Sequence, residues 1–365
     1  MKTSMRSLQN QRPIISFRML FIVLLLISCS REKEDPCCVF SEIGAGAEIK
    51  SGEGGLQVDG TTTAYFYVFD KSGNQVNYQS LNKTLSLPPG EYMVKVNNTS
   101  HPVKVEGGVL AKCSTGTVKV NGTTSDYYYV LDSAANQLAY NTLEKSSSLF
   151  PSRVLVKVNN SVTRAEIKLN QVTEITTGTM VVRGSTSEYY YVLDQTGNQL
   201  NYNTLEKPLA FVPGNYTVKV NNTTTKREVS AGQITEIATG NVQVNGVTSE
   251  YYYVLDTLGN QLNYQTMNKA LAVLPGTVKV KVNNTEVTTR IAKGETNNLA
   301  TGSITVPGKS ADQYFYVLDK NGVQLNYNSL NKPLAFFPGD YTVKVGEKTK
   351  NFTIKENELV RVAGL

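Results

Sequence analysis

Asp70, Asp132, Asp194 and Asp256 stand 62 residues apart and Asp319 follows after 63, each closing the same apolar run, so one segment is written five times. A chain of this kind folds as a tandem array of one small unit. The copies run 55–116, 117–178, 179–240, 241–302 and 303–365, with the extra residue in "PGKSADQ" ahead of the last tyrosine group. No segment has a helical period. "TVKVNG", "YYYVLD", "NQLNY", "LAFV", "YTVKVNN", "REVSA" and "ITEIA" are runs of strand length bounded by Gly, Pro, Asn and Asp. The expected fold is all-β: five tandem antiparallel β-sandwich repeats of about 62 residues, or partial barrels, strung as beads or a rod. A unit that small buries only about 60% of its unfolded surface, so neighbouring copies are expected to pack. Residues 47–54, "AEIKSGEG", mimic the closing "TEIATG" of later copies and are read as a last strand for copy one.

The stretch "YYYVLDQTGNQLNY", 189–202, is a hairpin in which Asp194 opens a type I turn and Gly197 takes the left-handed position. Gly73, Gly259 and Gly322 repeat this, and Ala135 departs. Counting pairs back from the turn puts Tyr190, Val192, Leu200 and Tyr202 on a core face, where Phe66 and Phe315 replace the middle tyrosine. The other face holds Tyr189, Tyr191, Leu193, Gln199 and Asn201. Tyr65 and Tyr67, Tyr127 and Tyr129, Tyr251 and Tyr253, and Tyr314 and Tyr316 are the equivalent pairs. Two readings of these ten tyrosines stand: favourable cross-strand or inter-copy packing, or a stacking and hydrogen-bonding platform for a sugar or a surface protein. Ala139 in place of the asparagine marks copy two as the weakest platform.

The second signature is "FVPGNYTVKV", with a Pro213-Gly214 turn followed by Tyr216, Val218 and Val220 on one face. Copy two departs again, with Ser147, Ser152 and Val154. This pattern, with a closing "VSAGQITEI", resembles PEGA-type domains and related small β-sandwich repeats of bacterial envelope proteins, although "TSEYYY" replaces the Pro-Glu-Gly-Ala signature itself. The resemblance implies a binding or spacer module without catalysis.

Residues 1–28 are read as a leader and 29–54 as a tether. Lys2, Arg6, Arg12 and Arg18 precede the apolar run "MLFIVLLLI", which is too short to span a bilayer. Leu26-Ile27-Ser28-Cys29 resembles the lipobox of bacterial lipoproteins, which implies lipidation of Cys29 and a membrane partner through the lipid. Ser30 after the cysteine favours the outer membrane, and Glu32, Glu34 and Asp35 resemble the acidic surface-export signal of Bacteroidetes lipoproteins. In that setting "DSA" and "DTL" match the O-glycosylation pattern of the phylum, at Ser133 and Thr257.

Removing the four basic leader residues from a net charge of +6 leaves +2, with 32 basic and 30 acidic residues, so no nucleic acid partner is expected. Lys95, Lys157, Lys219, Lys281 and Lys344 recur in register and read as the solvent side of a strand. The only histidine, His101, sits in a loop-like "NTSHP", and the turn aspartates are isolated from other carboxylates. No catalytic residue, cofactor or metal site is expected. Cys113 occupies the register of Ile175, Ile237 and Leu299 and reads as an inert core thiol; Cys37 and Cys38, adjacent in the tether, are available to link to another chain. The expected function is an adhesive or spacer stalk on the cell surface, with a carbohydrate-binding lipoprotein as the alternative and a surface glycan or protein as partner.

Overall fold

The computed structural model describes residues 37–44, 48–309 and 313–365; the leader, Cys29 and the acidic residues Glu32, Glu34 and Asp35 lie outside them. Copy one shows the plan. Its strands are β2 (Gly54–Asp59), β3 (Tyr65–Phe69), β4 (Gln75–Ser80), β5 (Thr84–Leu87), β6 (Gly90–Val96), β7 (Thr99–Val105) and β8 (Val109–Ser114). One sheet runs β4-β3-β6-β7 and is antiparallel throughout. The other runs β5-β2-β8, with β2 antiparallel to β5 and parallel to β8. The four later copies repeat this plan of three strands against four, as a sandwich without barrel closure. The alternating valines of β2, β3 and β6 fill the space between the sheets, as period-2 strands with one buried face require.

The parallel pairing sets how copies join. Because β2 and β8 run side by side, Ser114 at the end of β8 lies opposite Asp59 at the end of β2. Only Thr115 then separates β8 from the next first strand, Gly116–Asn121. Its hydroxyl donates to the Asp59 carbonyl at 2.9 Å, and Thr177, Thr239 and Thr301 repeat the bond to Asn121, Arg183 and Asn245. The glycine that follows is a steric requirement. A Cβ on Gly116 would sit 2.2 Å from the Lys168 carbonyl oxygen, and the same collision recurs at Gly54, Gly178, Gly240 and Gly302.

Neighbouring copies share their cores. Phe150 of copy two enters the core of copy one, Ala210 and Val212 enter that of copy two, Ala272 and Leu274 that of copy three, and Ala335 and Phe337 that of copy four. Around each plug the backbone is satisfied by the Asn-Asn turn of the preceding copy. Between copies three and four, Asn221 donates to the Ala272 carbonyl and Asn222 to the Leu262 carbonyl, both at 2.7 Å; Asn263 donates to Asn221 at 2.6 Å, and Thr223 accepts from the Leu274 amide at 2.9 Å. Asn221 and Asn222 have φ of 44° and 61°, the two left-handed residues of a two-residue hairpin. An acid completes the joint: Asp126, Glu188 and Glu250 accept from the amides of Ala210, Ala272 and Ala335. Copy one has Ala64 at that position, and there Thr62 bonds the Ser148 hydroxyl at 2.8 Å instead.

Residues 48–53 are not a strand. The added strand of copy one is β1 (Cys38–Glu42), antiparallel to β8, which places Cys38 opposite Cys113 and joins the two in a disulfide. Cys113 is therefore not an inert thiol, nor is Cys38 left for another chain. His101 lies in β7, opposite Val94, with its ring 5.5 Å from the plug residue Phe150.

Leu274→Ala is expected to cost about 2–5 kcal/mol, the range for a buried leucine truncated to alanine, and to give urea unfolding an earlier phase from copies three and four. An unfolding curve that overlays the parent would show that the plug does not couple the copies.

Candidate functional site

The four-stranded sheet turns one face to the core and the other to solvent, and β3 divides the tyrosines between them. Phe66, Tyr128, Tyr190, Tyr252 and Phe315 are fully buried. The Tyr190 hydroxyl donates to the Lys207 carbonyl at 2.7 Å, and burial, with a smaller contribution from the Asp126 carboxylate, pushes it above the usual phenol range. The flanking tyrosines face out. Tyr189 is 48% exposed and Tyr191 half-buried, and the pairs Tyr65 and Tyr67, Tyr127 and Tyr129, Tyr251 and Tyr253, and Tyr314 and Tyr316 sit in the same places.

A third tyrosine belongs to each outer group. Tyr202 pairs with Tyr191 and is 52% exposed, so it is not on the core face. The cause is a β-bulge between Val192 and Leu193, repeated in every copy, which shifts the register by one residue and exchanges the faces beyond it. The same shift moves Asn201 off the outer face: it pairs with Val192 and donates to Asn159 of the preceding copy at 2.7 Å. Ala139, its counterpart in copy two, thus alters the joint to copy one and not the tyrosine face.

Each outer group is packed within its own copy. Tyr191 stacks on Tyr202 with centroids 5.7 Å apart, Tyr189 meets the same ring edge-on, and Lys219, opposite Tyr191 on the neighbouring strand, sets its ammonium 5.3 Å from the Tyr191 centroid. The row Tyr202–Tyr191–Lys219 recurs as Tyr78–Tyr67–Lys95, Tyr140–Tyr129–Lys157, Tyr264–Tyr253–Lys281 and Tyr327–Tyr316–Lys344. At the joint of copies two and three, Asp126, Tyr127, Tyr129, Lys157, Asn160 and Asn201 are among the residues lining an open cleft of about 520 Å³. The row offers aromatic surface, phenol hydroxyls and one cation. Among the described residues, no group of three or more His, Cys, Asp or Glu is placed to hold a metal ion.

The aspartate turns are self-contained. Asp194 accepts from the Thr196 hydroxyl at 2.7 Å and the Asn198 amide at 2.8 Å, and these bonds, the Thr196 one foremost, hold its pKa down at about 2. Gly197 has φ of 91°, and Ala135 takes the same left-handed conformation at 65°. Ser133 and Thr257 are exposed in these turns.

No protein-family model matches the chain, and no curated protein matches it. Among solved structures it is similar to the Bacillus anthracis TIE protein at 12% identity over 92% of this chain and 75% of that one, with a TM-score of 0.17. The figures for BcpA, the major pilin subunit of Bacillus cereus, are 12%, 68%, 99% and 0.15. For the pilus adhesin SpaC from Lactobacillus rhamnosus GG they are 10%, 85%, 43% and 0.16. Likeness of this size carries no argument about activity.

Replacing Tyr189 and Tyr191 together by alanine is expected to leave the fold intact and cost about 1–2 kcal/mol, the sum of two cross-strand aromatic pairs, because neither ring is fully buried. A loss of 4 kcal/mol or more in urea titration would place them in a core. For Asp194 the folded pKa lies below the unfolded value of about 3.9, so its contribution is present above that value and is lost as pH falls through about 2. An NMR titration following Gly197 should show the transition near pH 2; a midpoint near 4 would mean the turn does not hold the carboxylate.

Proposed function

We propose that this chain is a non-enzymatic, lipid-anchored surface protein that presents five copies of one tyrosine-rich face as an adhesive stalk. The joint carries this reading. One residue separates successive copies, four of the five cores are closed by a side chain of the next copy, and the amides around the plug are bonded, so successive faces are held in fixed relation. A flexible string of domains would need none of these contacts. Repetition of one face multiplies weak contacts into avidity.

Anchoring rests on the order of basic, apolar and small residues that ends at Cys29, and placement on the outer membrane rests on Ser30 and the acidic residues behind it. The likeness of the Pro-Gly signature to PEGA-type repeats supports a binding or spacer module. The exposed tyrosine rows favour a glycan as the contacted surface. Ser133 and Thr257 are the positions at which a bulky O-linked sugar fits most easily, because both are exposed in hairpin turns.

Cys29→Ser is expected to release the protein from membranes, with loss of acyl label in metabolic labelling, and to abolish adhesion of the cells that display it. Equal acyl label in the variant would remove the anchor. Unchanged adhesion of cells from which the gene has been deleted would remove the adhesive role.

A further inference from the structure

The five rows end in a lysine that the rest of the fold does not use. Lys95, Lys157, Lys219, Lys281 and Lys344 are half-buried on the outer sheet face, and the seven ion pairs among the described residues involve none of them. Two of them sit over aromatic rings: Lys157 lies 5.2 Å from the Tyr129 centroid and Lys219 5.3 Å from that of Tyr191. An ammonium held over a ring keeps most of its capacity for an anion, because the ring supplies a quadrupole and no charge. The surroundings are mixed in sign, with cations in excess on the paired strands. Copy two adds Arg153 and Arg164 to the same face, with Glu166 opposite Arg153, and copy four adds Lys279 and Arg290, with Glu286 opposite Lys281. Neutral groups flank the row, with Gln199, Thr204 and Thr224 in copy three.

Building on the adhesive reading, we infer that each row is a subsite for an acidic polysaccharide, in which a carboxylated sugar lies on the tyrosine pair and its carboxylate meets the lysine of the row. Charge complementarity selects the anion, and the rings select the sugar. Tyr189 and Tyr202, Tyr251 and Tyr264, and Tyr314 and Tyr327 meet at interplanar angles of 64°, 75° and 68°, so each group shows edges and hydroxyls as well as faces. A hydroxyl-rich ring matches that surface better than a stacked base does. One cation per row also matches a polymer with a carboxylate on each sugar less densely charged than nucleic acid, whose binding grooves line the backbone with cations. Each subsite is weak, and the fixed joints let several act on one chain.

The test uses the mature chain, with polygalacturonate, its methyl ester and single-stranded DNA as probes. Polygalacturonate is expected to bind, more weakly as salt rises, and the methyl ester to bind at least tenfold more weakly. Lys157→Gln, Lys219→Gln and Lys281→Gln combined should reduce polygalacturonate binding at least tenfold with an unchanged circular dichroism melt. Equal binding of acid and ester, no effect of the triple variant, or tighter binding of DNA would overturn the proposal. Should polygalacturonate fail while beads coated with the protein still adhere to a neutral glycan surface, the acidic ligand is wrong and the adhesive reading stands; beads that adhere to no glycan or protein surface would count against both.

Discussion

The array depends on an apolar side chain that leaves its own copy to close the core of the one before. A 62-residue sandwich leaves its end open, and Phe150, Val212, Leu274 and Phe337 cover four such ends. Inserting a plug also brings backbone amides out of water, and each unpaired one would cost roughly 1–3 kcal/mol. The asparagine pair, the threonine or serine after it and the acid before the tyrosines are the groups that meet those amides, which is why these positions recur. The first and last of the five copies depart from this pattern. Copy one carries an exposed Pro88 at the position of the plug. In copy five the turn reads Gly346-Glu347-Lys348 in place of Asn-Asn-Thr.

These demands fall on the ends of each sandwich and leave the solvent face of the four-stranded sheet free. The joint explains why asparagines recur in the turns, and core packing explains the middle aromatic of the three. Neither explains the tyrosine row. Its rings touch one another and a lysine and contribute little to burial, yet all five copies keep the row. Position and exposure, with the structural work done elsewhere, direct the functional reading to that face.

Much of this was legible in order of residues. The inward middle tyrosine and the outward pair followed from alternation, and the turn from Asp194 and Gly197. The error at Tyr202 and Asn201 came from assuming uninterrupted pairing beyond the turn. A bulge has no marker in "GNQLNY", and a one-residue slip reverses every later side chain. His101 lies in a stretch that reads as loop-like, "NTSHP", yet it belongs to β7, an edge strand that tolerates Pro102.

The chain by itself determined the number of copies, the strand pattern and the hairpin turns, since these rest on periodicity and on residues within a few positions of one another. The tertiary structure decided what spans distance. Thr223 meets Leu274 across 51 residues, Glu188 meets Ala272 across 84, and Cys38 meets Cys113 across 75. It also decided that first and last strands run parallel, so that one copy ends where the next must begin. Local pattern carries no record of such pairings, because they form only when sheets already built are brought together.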